Sequence, residues 1–348
     1  MASPGGRSGG FCTGCRATGK LKTVGCDGRP MTVDRLDPQT GLFLVKKIGV
    51  SDTDARHARR EVNLGEATRL RRGVFTLAER WRTIDAEQKY LDRIRAVVET
   101  RKQDPVISHQ SAAALWRIPL GSLWPAGVHV LARPASHARS KNGVLVHRAE
   151  FDWDEIVELD GVLVTSPART LLDLARTVSF ADAVVALDHA LNPRRADQRV
   201  LVYAEELGER LAASGAVRGL ARAQRAIDFA RPNSDNPGES LSRVAIFELG
   251  FPDPELQTRH RNPRGGWYYT DHEWLEFRLI GEFDGKGKYV KEDYLRGRAP
   301  GDIVYEEKIR EDHLRAEGFT VVRWGWAELA DRGRLQRILR DAGLPVIR

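Results

Sequence analysis

The chain carries 55 Lys and Arg against 48 Asp and Glu over 348 residues, a formal net charge of +7. That length holds two or three domains, and 41% hydrophobic with 30% charged residues suits a globular chain with real cores. No apolar run approaches the ~20 residues that span a bilayer, and three cysteines are too few for a disulfide framework.

The basic balance favours a polyanionic partner, because phosphate contacts supply most non-specific nucleic-acid affinity. Met1–Gly10 lacks the apolar segment of a signal peptide, so a cytoplasmic setting is expected. Residues 1–30 are rich in Gly, Ser and Arg and hold Cys12, Cys15 and Cys26. A Cys-x-x-Cys pair invites zinc, but a closed site needs four ligands and the nearest histidine is His57; a disordered tail is the expectation.

Residues 31–82 read as a small DNA-binding domain. Ser51 caps a helix over Asp52–Asn63 that carries Arg56, Arg59 and Arg60 outward. Gly65 ends it, and Ala67–Leu70 and Val74–Leu77 form a hairpin, with Arg69, Arg71 and Arg72 at or beside its tip. A basic helix followed by an arginine-tipped hairpin is part of the winged-helix layout; a solvated basic surface is the plainer alternative. Arg69-Leu-Arg-Arg-Gly73-Val-Phe75 resembles the wing of the AbiEi-like antitoxin domain of type IV toxin–antitoxin systems. The resemblance implies operator DNA and a cognate toxin as partners.

Residues 83–230 read as an α+β domain. A helix covers Thr83–Lys102, and Ser108 caps a second that reaches Trp116. Strands follow at Val128–Leu131, Gly143–His147 and Glu158–Val164. Ser166 and Pro167 start a helix whose apolar stripe continues through Ala183–Leu191. His109, His129, His147 and His189 lack metal-ligand spacing and are expected to pack or lie at the surface. The region resembles the domain that follows the winged helix in the same antitoxin-like proteins, and it supplies a scaffold or partner surface. Residues 231–238 are a turn-rich break, so a last domain is expected over 236–348.

In that domain a helix over Glu239–Leu249 keeps Glu239 and Arg243 together at i, i+4. Glu255–His260 is a strand, and Trp267–Trp274 with Arg278–Asp284 forms a hairpin. A turn centred between Glu276 and Phe277 puts Asp271 opposite Glu282, and strand alternation keeps Asp284 and Lys286 on that face. Three carboxylates brought together need a proton or a cation, and hard oxygen donors suit Mg²⁺ or Mn²⁺. Solvated acids on an edge hairpin are the plain alternative. A helix over Asp302–Glu317, a strand over Phe319–Trp326 with both tryptophans as core, and a helix over Glu328–Ala342 complete an αβββαβ order.

That order resembles the PD-(D/E)XK nuclease superfamily, and more narrowly the very-short-patch-repair-like endonucleases. The matching residues are Glu239-Ser-x-x-Arg243, Asp271, Glu282-Phe-Asp284-Gly285-Lys286, the helix through Glu306, Glu307, Lys308, Arg310 and Asp312, and Gly318-Phe-x-Val-Val-Arg323-Trp324. Thr270 stands where the family often has proline. The resemblance implies a restriction-endonuclease-like fold and phosphodiester hydrolysis with Mg²⁺ or Mn²⁺. Asp271 and Asp284 would be ligands, Glu282 a supporting ligand, Lys286 the residue that orients water, and Glu239 an outer carboxylate. The expected protein is a metal-dependent endonuclease fused to a DNA-binding module, acting in phage defence or DNA repair. The alternative is an antitoxin-like repressor with an inactive nuclease fold.

Overall fold

The computed structural model describes residues 36–37, 40–45, 52–101, 103–194, 200–285 and 300–347. Lys286 and Cys12, Cys15 and Cys26 lie outside them. The chain divides into two compact units, Met1–Thr83 and Ile84–Arg348.

The first unit contains β1 (Phe43–Leu44), α1 (Asp52–Asn63), β2 (Ala67–Arg71), β3 (Val74–Leu77) and α2 (Ala78–Thr83). The sheet order is β1-β3-β2, with both pairings antiparallel. Ala58 and Val62, one helical turn apart on α1, pack with Phe43, Ala67 and Phe75. The β2–β3 turn passes through Gly73 at φ 82°, a left-handed conformation that glycine adopts without strain.

The second unit opens with α3 (Ala86–Thr100), β4 (Val106–Ile107), α4 (His109–Leu115), β5 (Val128–Ala132) and β6 (Val144–Arg148), then β7 (Ile156–Leu159) and β8 (Val162–Thr165). These strands make a mixed sheet ordered β6-β5-β4-β8-β7, with β5–β6 and β4–β8 parallel. Tyr90, Ile94, Val97 and Ala112 of α3 and α4 bury the valines of β5, β6 and β8. A helical layer follows: α5 (Pro167–Thr177), α6 (Phe180–Leu191), α7 (Ala204–Ala213) and α8 (Leu220–Phe229). Ser166 caps α5 by accepting from Arg169 N–H, and Pro167 sits where no N–H is needed. Ser179 caps α6, so the stripe expected to be continuous is two helices.

The remainder comprises α9 (Pro237–Glu248), β9 (Glu255–Arg261), β10 (Trp267–Trp274), β11 (Leu279–Phe283), α10 (Pro300–Ala316), β12 (Thr320–Trp324), α11 (Trp326–Ala330) and α12 (Arg332–Asp341). The sheet order is β12-β11-β10-β9, with β11 and β12 parallel. Residues of α9, α11 and α12 pack with Trp274, Leu279, Phe283 and Trp324, while Leu314 of α10 packs with Ile280 and Val321. Only glycine fits at 238, because a Cβ there would stand 1.9 Å from the Phe283 ring. Three sequence expectations are corrected. Asn236 caps α9 two residues earlier than expected, Trp326 opens a helix and is half exposed instead of lying in the strand core, and the last helix is broken at Asp331, whose side chain caps α12.

Arg243 does not simply sit beside Glu239. It turns to α6 and donates two hydrogen bonds to Asp188, at 2.8 and 3.0 Å. Both side chains are 1% exposed, so the pair joins the helical layer to the C-terminal sheet across the 231–238 turn. Breaking a buried pair from one side strands a charge, and Arg243→Ala is expected to cost ~3–5 kcal/mol in urea unfolding.

Candidate acidic site on the C-terminal sheet

The β10–β11 hairpin pairs His272 with Gly281, Glu273 with Ile280 and Trp274 with Leu279. This register would put Asp271 opposite Glu282 on the next rung, but the ladder stops one residue short. Phe283 N–H instead donates to Asp271 Oδ2 at 2.8 Å. The aspartate supplies the acceptor that a strand carbonyl would, and its carboxylate reaches the backbone between Glu282 and Asp284. Asp284 is half-buried, and its own N–H donates to Trp324 O at 2.8 Å, extending the β11–β12 pairing.

Glu282 is buried and engaged on both oxygens. Arg310, from α10, donates to Oε2 at 2.8 Å and to Oε1 at 2.7 Å, and also to Tyr269 O. Burial alone would lower the Arg310 pKa, but Glu282, with Asp271 and Glu307, more than reverses this and holds the guanidinium charged. The compensating cation that clustered acids require is therefore a side chain. Among the described residues, no group of three or more His, Cys, Asp or Glu is placed to hold a metal ion. Glu282, expected as a supporting ligand, is an arginine partner. As folded, the acids do not fit a divalent-ion cage.

Glu239 sits at the start of α9, accepting from Asp235 N–H at 2.8 Å and from the side chains of Asn236 and Gln257. The structure thus brings Asp271 and Glu282 to one guanidinium, sets Asp284 beside them in the chain, and gives Glu239 a capping role. In the sequence Arg310 is only one position of a helical motif; its role needs the packing of α10 on the sheet, which no local pattern encodes. His272, next to Asp271, is fully buried against Trp324, and burial lowers its pKa to about 4.

Of the arginines expected to meet nucleic acid, Arg56, Arg59 and Arg60 on α1 are exposed, as are Arg69 and Arg72 on the β2–β3 hairpin. Arg71 is half-buried.

Three histidines that stand apart in the sequence converge from the start of α4 and from the neighbouring strands β5 and β6. His129 Nδ1 and His147 Nε2 lie 2.9 Å apart, sharing one proton, and His109 stacks on His147 with centroids 3.6 Å apart. His109 adopts φ 51°, rare for a side-chain-bearing residue, and its Nδ1 lies 3.1 Å from Ser108 Oγ and 3.9 Å from Asp173. Burial, with His147 alongside, lowers the His129 pKa to about 4. On the C-terminal sheet the opposite holds. Burial would depress His260, but Glu273 and Glu317, at 2.7 and 3.0 Å, raise it.

No family model matches the chain. It is 27% identical over 195 residues to two uncharacterized proteins of Mycobacterium tuberculosis, MT2308 of strain CDC 1551 / Oshkosh and Rv2248 of strain ATCC 25618 / H37Rv. Each match covers 56% of this chain and 65% of the relative, so the chain spans under two thirds of their length. The crystal structure of the RV2827C protein from Mycobacterium tuberculosis aligns with a TM-score of 0.34 at 17% identity, over 62% of this chain and 79% of that one. That likeness is too distant to inform fold or function.

The two histidine environments predict opposite pH responses. His129, held near 4, contributes stability that is complete above its unfolded value of 6.5 and is lost as pH falls toward 4, up to about 3 kcal/mol. His260, raised above 6.5, contributes stability that is complete below that value and is lost as pH rises through its folded pKa. In thermal unfolding from pH 4.5 to 8, His129→Asn should flatten the acid limb and His260→Gln the alkaline limb.

Proposed function

We propose that this chain is a DNA-binding protein whose first unit grips duplex DNA through α1 and the β2–β3 hairpin. The observation that carries this reading is their arrangement: a helix exposing Arg56, Arg59 and Arg60 directly precedes an arginine-bearing hairpin, in a sheet ordered β1-β3-β2. This is the layout in which a helix enters the major groove while a wing holds phosphate. The formal charge of +7 adds a long-range pull toward the polyanion. In gel-shift assays across a salt series, affinity should fall with salt. The double variant Arg59→Ala/Arg71→Ala should bind more weakly and reduce the salt slope by about one for each phosphate no longer neutralised. Salt-independent binding would remove the reading.

A second reading is favoured by one feature of the other unit. The Asp271 carboxylate reaches the backbone between Glu282 and Asp284, where phosphodiester hydrolysis would place its acids, and Gly285-Lys286 follows in sequence. On this reading the C-terminal sheet is a metal-dependent endonuclease that works once Arg310 releases Glu282, in phage defence or DNA repair. Without that release the chain is a repressor of the antitoxin type carrying a silent nuclease fold. Supercoiled plasmid incubated with Mg²⁺ or Mn²⁺ distinguishes the two. Nicking that disappears in both Asp271→Ala and Asp284→Ala supports hydrolysis; nicking that survives both substitutions removes it.

A further inference from the structure

The outer part of the β9–β10 hairpin turns one face to α10 and the other to solvent. Tyr268 pairs with His260, which puts both on the first face. Tyr268 Oη donates to Asn262 Oδ1 at 2.9 Å and lies 3.0 Å from His313 Nδ1, while His260 Nδ1 lies 3.0 Å from Glu317 Oε2. Strand alternation puts the neighbouring pairs, Arg261 with Trp267 and Arg259 with Tyr269, on the second face. There Trp267 is 54% exposed and Tyr269 45%. Arg259 and Arg261 are exposed as well, as is Arg264 in the turn that joins the strands. The Arg259 guanidinium stands 5.1 Å from the centroid of the Trp267 ring. A single exposed aromatic needs no explanation, but two at alternate positions of one strand, interleaved with arginines, form a surface of definite chemistry.

We propose that this face binds a single strand of DNA, with bases stacked on Trp267 and Tyr269 and phosphates held by Arg259, Arg261 and Arg264. Every base offers a flat π-face to an aromatic ring, and guanidinium groups follow the backbone; together these are the two components of a single-strand platform. The spacing selects an unpaired strand. The rings lie two strand positions apart, ~7 Å by β-strand rise, whereas the bases of a duplex follow one another every ~3.4 Å. A base reaches either ring only when it has left its neighbour's stack. The charge selects a polyanion, since the next acid along β10, Asp271, is already engaged by Phe283 N–H. Contacts to His313 and Glu317 hold the hairpin from behind, so the platform is ordered before the strand arrives and binding costs less entropy. The site is separate from the α1 and β2–β3 surface read as the duplex grip, and only the choice of DNA over RNA rests on that reading.

Fluorescence anisotropy on the full chain tests this with labelled probes of equal length: oligo(dT), its abasic counterpart, oligo(rU) and a DNA duplex. The wild-type chain should bind oligo(dT) more tightly than the abasic strand or oligo(rU), with an affinity that falls as salt rises. Trp267→Ala should weaken oligo(dT) binding about tenfold, Trp267→Phe should keep most of it, and Tyr269→Ala should lose affinity in the same direction. None of the three should alter binding of the abasic strand or of the duplex. Arg59→Ala/Arg71→Ala should do the reverse, weakening the duplex and sparing oligo(dT), so failure of either site shows separately. Circular dichroism confirms that each variant folds; should Trp267→Ala not fold, Tyr269→Ala carries the same comparison. Oligo(dT) affinity that is absent in the wild type, or unchanged in the folded variants, overturns the proposal, as does an abasic strand bound as tightly as oligo(dT). Tighter binding of oligo(rU) overturns the assignment to DNA.

Discussion

A carboxylate taken out of water must be hydrogen-bonded or paired, and within residues 84–348 several of the most buried acids are held by cationic side chains. Four buried acids meet it with partners drawn from different parts of the chain. Asp173 on α5 is held by Arg169 and Arg176, with Arg169 reaching on to Glu155. Asp188 on α6 takes Arg243 of α9, Glu273 on β10 takes His260 of β9, and Glu282 on β11 takes Arg310 of α10. Three of these four pairs cross between elements. They join α6 to α9, β9 to β10 and α10 to β11 more specifically than apolar contact does, because a displaced apolar side chain finds another neighbour and a displaced charge does not.

The same requirement explains what the acidic site is in this fold. Clustered carboxylates are usually read as waiting for a metal, because the ion is the obvious source of charge. Here α10 lies across the sheet and supplies the charge itself. The Asp271 carboxylate also completes the strand ladder for Phe283 N–H. The Glu282–Arg310 pair is therefore coherent without an ion.

Much of the fold was legible in the sequence because its signals are local. Ser166-Pro167 marked a helix start, Gly73 a tight turn, and the alternating run through Trp267–Trp274 a strand whose register with β11 could be counted from the turn. The site was legible only in part. Asp271 and Glu282 could be brought together by register alone, whereas Arg310 lies 28 residues beyond Glu282 and reaches it only through the packing of α10. The histidines show the same limit. His109, His129 and His147 fit no spacing rule, since the first opens α4 and the others lie on β5 and β6, whose pairing is a property of the sheet. Trp326 failed for a local reason: Glu328 accepts from Gly325 N–H and starts a helix where strand propensity alone would continue β12.

The Asp188–Arg243 pair has a consequence for how the chain can be divided. A fragment beginning at Asn236 would retain α9 and the whole four-stranded sheet, yet it would leave Arg243 facing water or a void where α6 had been. The complementary fragment would expose Asp188, which also accepts from Ser240 Oγ and from Arg231 N–H. Severing the turn at 231–238 therefore damages both halves at once. Through Asp188 and Arg243 the C-terminal sheet and the helical layer depend on one another for a satisfied interior.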